Sequence, residues 1–136
     1  NTFKAASQVK LVASQPADWD RQKALDTAAS MLQSNPNLKA IYCCNDTMAL
    51  GALQAVKNAG KLGQILVVGT DGAAEALESV KAGELSATVA QNSAEIGATS
   101  LRRMIKSVKD GEKIDSNATA ETIPVDSYVV TKDSAQ

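Results

Sequence analysis

The stretch AIYCCNDTMALGALQAVKNAGKLGQILVVGTDGAAEALESVKAGELSATVAQ, residues 40–91, decides the fold, because it holds one structural unit written twice. Ala40-Ile41-Tyr42-Cys43-Cys44 is a short β-prone run. After it Ala49, Ala52, Leu53 and Val56 recur on one helical stripe, which Gly60 ends in the position that favours glycine. The unit then repeats. Ile65-Leu66-Val67-Val68-Gly69 is a continuous apolar run, the pattern of a parallel strand covered on both faces, and Ala73, Ala76, Leu77 and Val80 mark a second helix closed by Gly83. Ser86–Ala90 reads as the next strand.

Working outward, the N-terminal side adds a β-prone run at Val9–Ala13 and a helix whose Ala24, Ala28, Met31 and Leu32 share a face, stopped at Asn35-Pro36. Strands near positions 9, 40, 65 and 86 with helices between them are stacked βαβ units joined by right-handed crossovers. The fold class is therefore α/β, a doubly wound parallel sheet sandwiched by helices. On the C-terminal side Asn92-Ser93-Ala94-Glu95 has the form of a capping box. It opens a longer helix with Leu101, Met104, Ile105 and Val108 on its stripe, ending near Asp110-Gly111. The remainder reads as loop with a strand at Tyr128–Thr131 and a polar tail.

Composition narrows the function. The 136 residues are 44% hydrophobic, enough for one modest core, and the formal net charge of -1 comes from interspersed acids and bases. That balance points away from nucleic acid and from a polybasic membrane anchor. No apolar run approaches the roughly 20 residues that a membrane-spanning helix needs. Cys43 and Cys44 are neighbours whose side chains point to opposite faces of a strand, so free, buried thiols are expected rather than a disulfide. Two cysteines without a second pair, and no histidine, make a structural zinc site unexpected; the expected binding needs neither a metal nor a cofactor. The N-terminal Asn1–Ser7 begins without Met or a leader pattern and reads like the last turns of a helix, so a truncated chain is expected.

In open parallel sheets ligands bind beyond the carboxyl ends of the strands. Those ends carry Ser14–Trp19, Asn45-Asp46, Asp71-Gly72 and Gln91. An ionised Asp71 accepts hydrogen bonds, Asn45 and Gln91 both donate and accept, and Trp19, the single Trp, offers an apolar ring. Hydroxyls that donate and accept, attached to a ring with an apolar C–H face, answer that set: a neutral polyol. Each residue also has a plain structural reading. Asn45 or Asp46 is an expected helix N-cap, Asp71-Gly72 a turn, Gln91 a partner for nearby backbone, and Trp19 a packing residue. Their shared placement favours the pocket. Catalysis is not expected, because the chain has no Gly-rich phosphate loop, no nucleophile elbow and no histidine base.

Four segments, in this order, resemble the ribose- and allose-binding receptors among the type I periplasmic binding proteins: Ser14-Gln15-Pro16-Ala17-Asp18-Trp19-Asp20-Arg21, Cys44-Asn45-Asp46-Thr47-Met48-Ala49-Leu50-Gly51, Val67-Val68-Gly69-Thr70-Asp71-Gly72 and Ala87-Thr88-Val89-Ala90-Gln91-Asn92. The resemblance implies two α/β lobes on a three-stranded hinge. Residues 1–91 would form the C-terminal sugar-binding lobe without its first strand. Residues 92–136 would form a helix and hinge segment packed mainly on the other lobe. It also implies that Trp19 flanks the sugar while Asn45, Asp71 and Gln91 bond its hydroxyls. The implied protein is the periplasmic or lipoprotein-anchored binding component of an ABC importer, monomeric at full length. Its partners are a D-allose- or D-ribose-type monosaccharide and the importer's membrane subunits. Without its other lobe the chain is expected to be marginal or aggregation-prone.

The alternative is the effector-sensing domain of a lactose-repressor-type regulator, which shares the Asn45-Asp46-Thr47-Met48-Ala49 element. In that family the third strand ends in an aromatic residue and two aspartates, and a Pro-acidic step precedes it. Thr70-Asp71-Gly72 and Lys61-Leu62-Gly63-Gln64 have neither, which favours the receptor.

Overall fold

In the computed structural model, residues 8–113, 115 and 117–134 are described. The elements run α1 (Arg21–Ser34), β1 (Ala40–Tyr42), α2 (Asp46–Asn58), β2 (Leu66–Asp71), α3 (Ala74–Lys81), β3 (Ala87–Gln91), α4 (Ser93–Lys109) and β4 (Ser127–Thr131). The strands lie side by side in the order β1-β2-β3-β4. β1 pairs with β2 and β2 with β3, both parallel, with Ile41 opposite Val67 and Asp71 opposite Ala90. The helical end expected at Asn1–Ser7 lies outside the described residues.

The chain divides into two units. One runs to Ala90 and takes in the segment from Val129 on, and the other is Gln91–Tyr128. In the first unit α2 and α3 are the β1→β2 and β2→β3 crossovers. Crossovers of one hand between strands laid down in one direction put both helices on the same face of the sheet. α1 packs on α2 in that same layer. The core follows: Ala24, Ala28 and Leu32 of α1, Ala49, Ala52, Leu53 and Val56 of α2, and Ala76 and Val80 of α3 close over Ile41, Val67 and Leu85. Small side chains let these helices approach closely. A Cβ on Gly51 would lie 2.2 Å from the Arg21 carbonyl oxygen, so α1 meets α2 there backbone to backbone.

Two expectations are corrected. Ile65–Gly69 was expected to be covered on both faces, but along β2 only Val67 and Gly69 are buried, while Leu66 is 58% exposed. The physical reason is the crossover geometry just described, which stacks helices on one face. Val9–Ala13 forms no strand; it lacks a ladder partner among the described residues, and β propensity without one fixes little.

The helix ends are written locally. α2 and α3 stop at Ala59 and Ala82, each followed by a glycine at positive φ, Gly60 at 66° and Gly83 at 75°. Lys61 N–H then reaches Val56 O at 3.0 Å and Glu84 N–H reaches Ser79 O at 3.0 Å, closing the last turn in each case.

Candidate functional site

Asn45 follows β1 in extended backbone (φ -148°, ψ 167°), and its Oδ1 accepts the Met48 N–H at 2.8 Å, so the side chain caps α2. The structural reading of Asn45 is thus real, and it orients rather than consumes the residue. One end of the amide is fixed to the helix, and among the described residues nothing engages the two Nδ2 donors.

Asp71 is the last residue of β2, and its φ of 121° is a conformation that side chains rarely adopt. Gly72 follows at φ 78°, with Ala90 so near that an added Cβ would lie 2.6 Å from the Ala90 Cβ. The turn is pressed against β3. Beside it, the Thr70 hydroxyl lies 3.3 Å from the Cys43 carbonyl, tying the end of β2 to the end of β1, where Asn45 begins.

Trp19 ends no strand; it sits in a tight turn ahead of α1. Asp18 and Trp19 are both left-handed, at φ 50° and 61°, and the Asp20 N–H closes the turn on Ala17 O at 2.9 Å. Aspartate tolerates that conformation, whereas for a bulky indole it is an outlier. The turn is braced twice: Lys23 Nζ pairs with Asp18 at 2.8 Å, and Asp20 caps α1 by accepting the Lys23 N–H at 2.7 Å. The Asp18 carboxylate raises the Lys23 pKa above its ordinary value, by its hydrogen bond first and its charge second. The braces leave the indole 66% exposed. Arg21 then reaches Glu75, in the first turn of α3, at 2.8 Å. That ion pair puts the start of α1 at the same end of the sheet as Asp71.

Three of the four expected side chains, Trp19, Asn45 and Asp71, therefore emerge at one edge of the first unit. Gln91 ends β3 and is the first residue of the second unit. An indentation of about 310 Å³ runs from the Arg21–Glu75 pair along α2 and α3 to Lys57 and Glu84, and none of the four expected residues lines it. Lys57 and Glu84 pair across it at 2.7 Å, so its charges are already matched.

Asp46, which the sequence offers at the strand end only as an alternative helix cap, has another part. Asp46 is 1% exposed, and its carboxylate accepts the Ala73 N–H at 2.7 Å and the Thr88 hydroxyl at 2.7 Å. The available signal was Gly69: a glycine inside an apolar strand marks close approach by another group, and that group is Asp46. No group of three or more acidic, Cys or His side chains able to hold a metal exists among the described residues. The Cys43 thiol is buried and Cys44 is exposed, both free. The expectation that both would be buried holds for Cys43 alone, since adjacent strand-end residues face opposite ways.

The parallel strands β1, β2 and β3 thus carry polar groups at their carboxyl ends, the edge at which open α/β sheets bind ligands. Comparison with known proteins gives the family. Residues 1–113 match the family model described as periplasmic binding protein domain, and the chain belongs to that family. It is 62% identical over 130 residues to the D-allose-binding periplasmic protein of Escherichia coli (strain K12), covering 96% of this chain and 42% of that protein. It is 41% identical over 128 residues to the ribose import binding protein of Salmonella typhimurium, covering 94% of this chain and 41% of that protein. Among solved structures, an ABC transporter periplasmic solute binding protein from Actinobacillus succinogenes with bound D-allose superposes with a TM-score of 0.84 at 36% identity, over 98% of this chain and 44% of that one. The chain thus spans about two fifths of the length of these relatives.

Proposed function

We propose that this chain supplies the larger part of one sugar-binding lobe, residues 1–91, and a hinge-side segment, residues 92–136, of an extracytoplasmic receptor. That receptor would serve an ABC importer of a D-allose- or D-ribose-type monosaccharide. In this reading Trp19 covers the apolar face of the sugar, while the Asn45 amide, the Asp71 carboxylate and the Gln91 amide meet its hydroxyls. The relatives named for allose and ribose support the ligand class, and their description as binding proteins supports a role without covalent chemistry. The same relatives support a periplasmic location and the importer's membrane subunits as partners.

One observation carries the reading. Among the described residues, the non-glycine positions at positive φ are Asp18, Trp19 and Asp71. Strain of about 1 to 3 kcal/mol per residue persists where surrounding structure imposes it, and it gathers at ligand sites. Here it falls on two of the residues expected to bind and on the brace of one of them. Binding would proceed by closure of a second lobe over the sugar, which removes water from both the hydroxyl contacts and the ring stack.

The test is a tryptophan-fluorescence titration of the full-length protein with D-allose, D-ribose and D-glucose, in the wild type and in Asp71→Ala. The expected outcome is saturable binding of allose or ribose, weakened in the variant by about 1 to 3 kcal/mol because a sugar hydroxyl loses its partner. A folded wild type silent to all three sugars would refute the reading.

A further inference from the structure

We infer that Asp46 is the positioning residue of this site: a buried carboxylate that holds the strained Asp71 turn in its ligand-binding shape. What the turn does rests on the function proposed above; how it is held does not. Burying a carboxylate is costly unless its oxygens are hydrogen-bonded, and an apolar residue would fill the same space at less expense. Asp46 is nevertheless buried between α2 and the sheet, and both oxygens are committed. Oδ2 accepts from Ala73 N–H and Oδ1 from the Thr88 hydroxyl. Gly69 makes room, since a Cβ there would lie 2.2 Å from Oδ1.

The two partners are at instructive places. Thr88 lies in β3, opposite Gly69 in the ladder, so Oδ1 joins α2 to the strand against which the turn is pressed. Ala73 comes directly after Asp71 and Gly72, the two consecutive positive-φ residues, and it is the N-cap of α3 without a side chain able to cap. The near end of the turn is fixed by the ladder, where Asp71 faces Ala90. Asp46 fixes the far end. A strained segment pinned at both ends keeps its conformation, and one released at an end relaxes toward ordinary φ. Asn45, the preceding residue, starts the same helix, so one N-terminus sets the amide directly and the carboxylate of Asp71 at one remove.

Asp46→Ala, Asp46→Asn and Asp71→Ala, together with the Asp46→Ala/Asp71→Ala double variant, test this in the full-length protein. D-Allose and D-ribose affinities are measured by titration. Asp46→Ala is expected to weaken binding about 10- to 100-fold, as loss of a charge-assisted bond to a buried turn does. Added to Asp71→Ala, it should cost less than about 3-fold more, because residues that act through one another are not additive. Asp46→Asn should stay within about 3-fold of wild type, since its Oδ1 can accept from Ala73 while its Nδ2 donates to a reversed Thr88 hydroxyl. Multiplicative losses in the double variant, or unchanged binding by a folded Asp46→Ala, overturn the inference. If Asp46→Ala does not fold, Thr88→Val removes one partner and carries the same double-variant test with Asp71→Ala. A ligand-free arm separates the two claims. Hydrogen exchange at the Ala73 amide should be about 10-fold or more faster in Asp46→Ala, which loses its acceptor, than in Asp46→Asn, which keeps one. If no sugar binds, the function fails while exchange still decides the positioning role, and equal exchange rates overturn it.

Discussion

α2 and α4 are both amphipathic helices that open on an asparagine and close on a glycine turn, yet they end in opposite circumstances. Asn45 caps α2 by accepting the Met48 N–H, and Asn92 caps α4 by accepting the Glu95 N–H at 3.2 Å. α2 buries Met48 through Leu53, with Ala55 and Val56, against α1, α3 and β2. α4 buries none of its residues among those described, and Val108 on its apolar stripe is 76% exposed. A stripe of Leu, Met, Ile and Val sets which face of a helix seeks cover. It does not provide the cover, because the hydrophobic gain exists only when a second surface removes that area from water.

The comparison can be broken most directly with paired truncations. Leu53→Ala should lower unfolding stability by about 2 to 5 kcal/mol, the range for a buried leucine. Leu101→Ala, on the open stripe of α4, should stay within about 0.5 kcal/mol in the same urea titration of the chain. A large loss at Leu101 would mean that α4 finds cover in solution. Gly51→Ala, which drives a methyl into the Arg21 carbonyl, should cost about 1 to 3 kcal/mol by overpacking.

The next contrast is between neighbouring thiols at the threshold of α2. Burial, and then the adjacent Cys44, push the Cys43 thiol from 9.0 up to about 11. A raised folded value means that the neutral thiol favours the folded state. That contribution is whole below about pH 9 and is lost as the pH rises toward 11, so the alkaline limb of the stability profile should fall there. Cys43→Ala should flatten that limb, and alkylation at pH 8 should mark the exposed Cys44 first.

The smallest effect belongs to α4. A hydrogen bond from Thr99, then one from Arg102, hold the Glu95 carboxyl below the ordinary carboxylate range. A lowered folded value contributes above the unfolded value and is lost as the pH falls through the folded one. Helicity measured by circular dichroism should therefore slip slightly on acidification, and Glu95→Gln should remove that slope.

Much of this was legible in the sequence because it is local. The glycine-ended helices and the carboxyl-end positions of Asn45 and Asp71 follow from periodicity and turn chemistry, which act over a few residues. Val9–Ala13 misled because a strand is a pairing, and five β-prone residues say nothing about whether a neighbour is present. Trp19 was placed at a strand end for the same reason; its left-handed turn comes from the Asp20–Ala17 closure and the Lys23–Asp18 pair, which leave no periodic mark.

By itself the sequence determined the βαβ repeat, the helix ends and the residue types offered at the carboxyl edge, since backbone propensity and side-chain chemistry are properties of short segments. Tertiary structure alone decided which sheet face is covered, that Asp71 and Trp19 are held under strain, and that Asp46 spans 27 residues to Ala73 and 42 to Thr88. Those facts depend on surfaces and atoms brought together from distant parts of the chain. A carboxylate beside an asparagine reads as a second cap until the strand that buries it is in place.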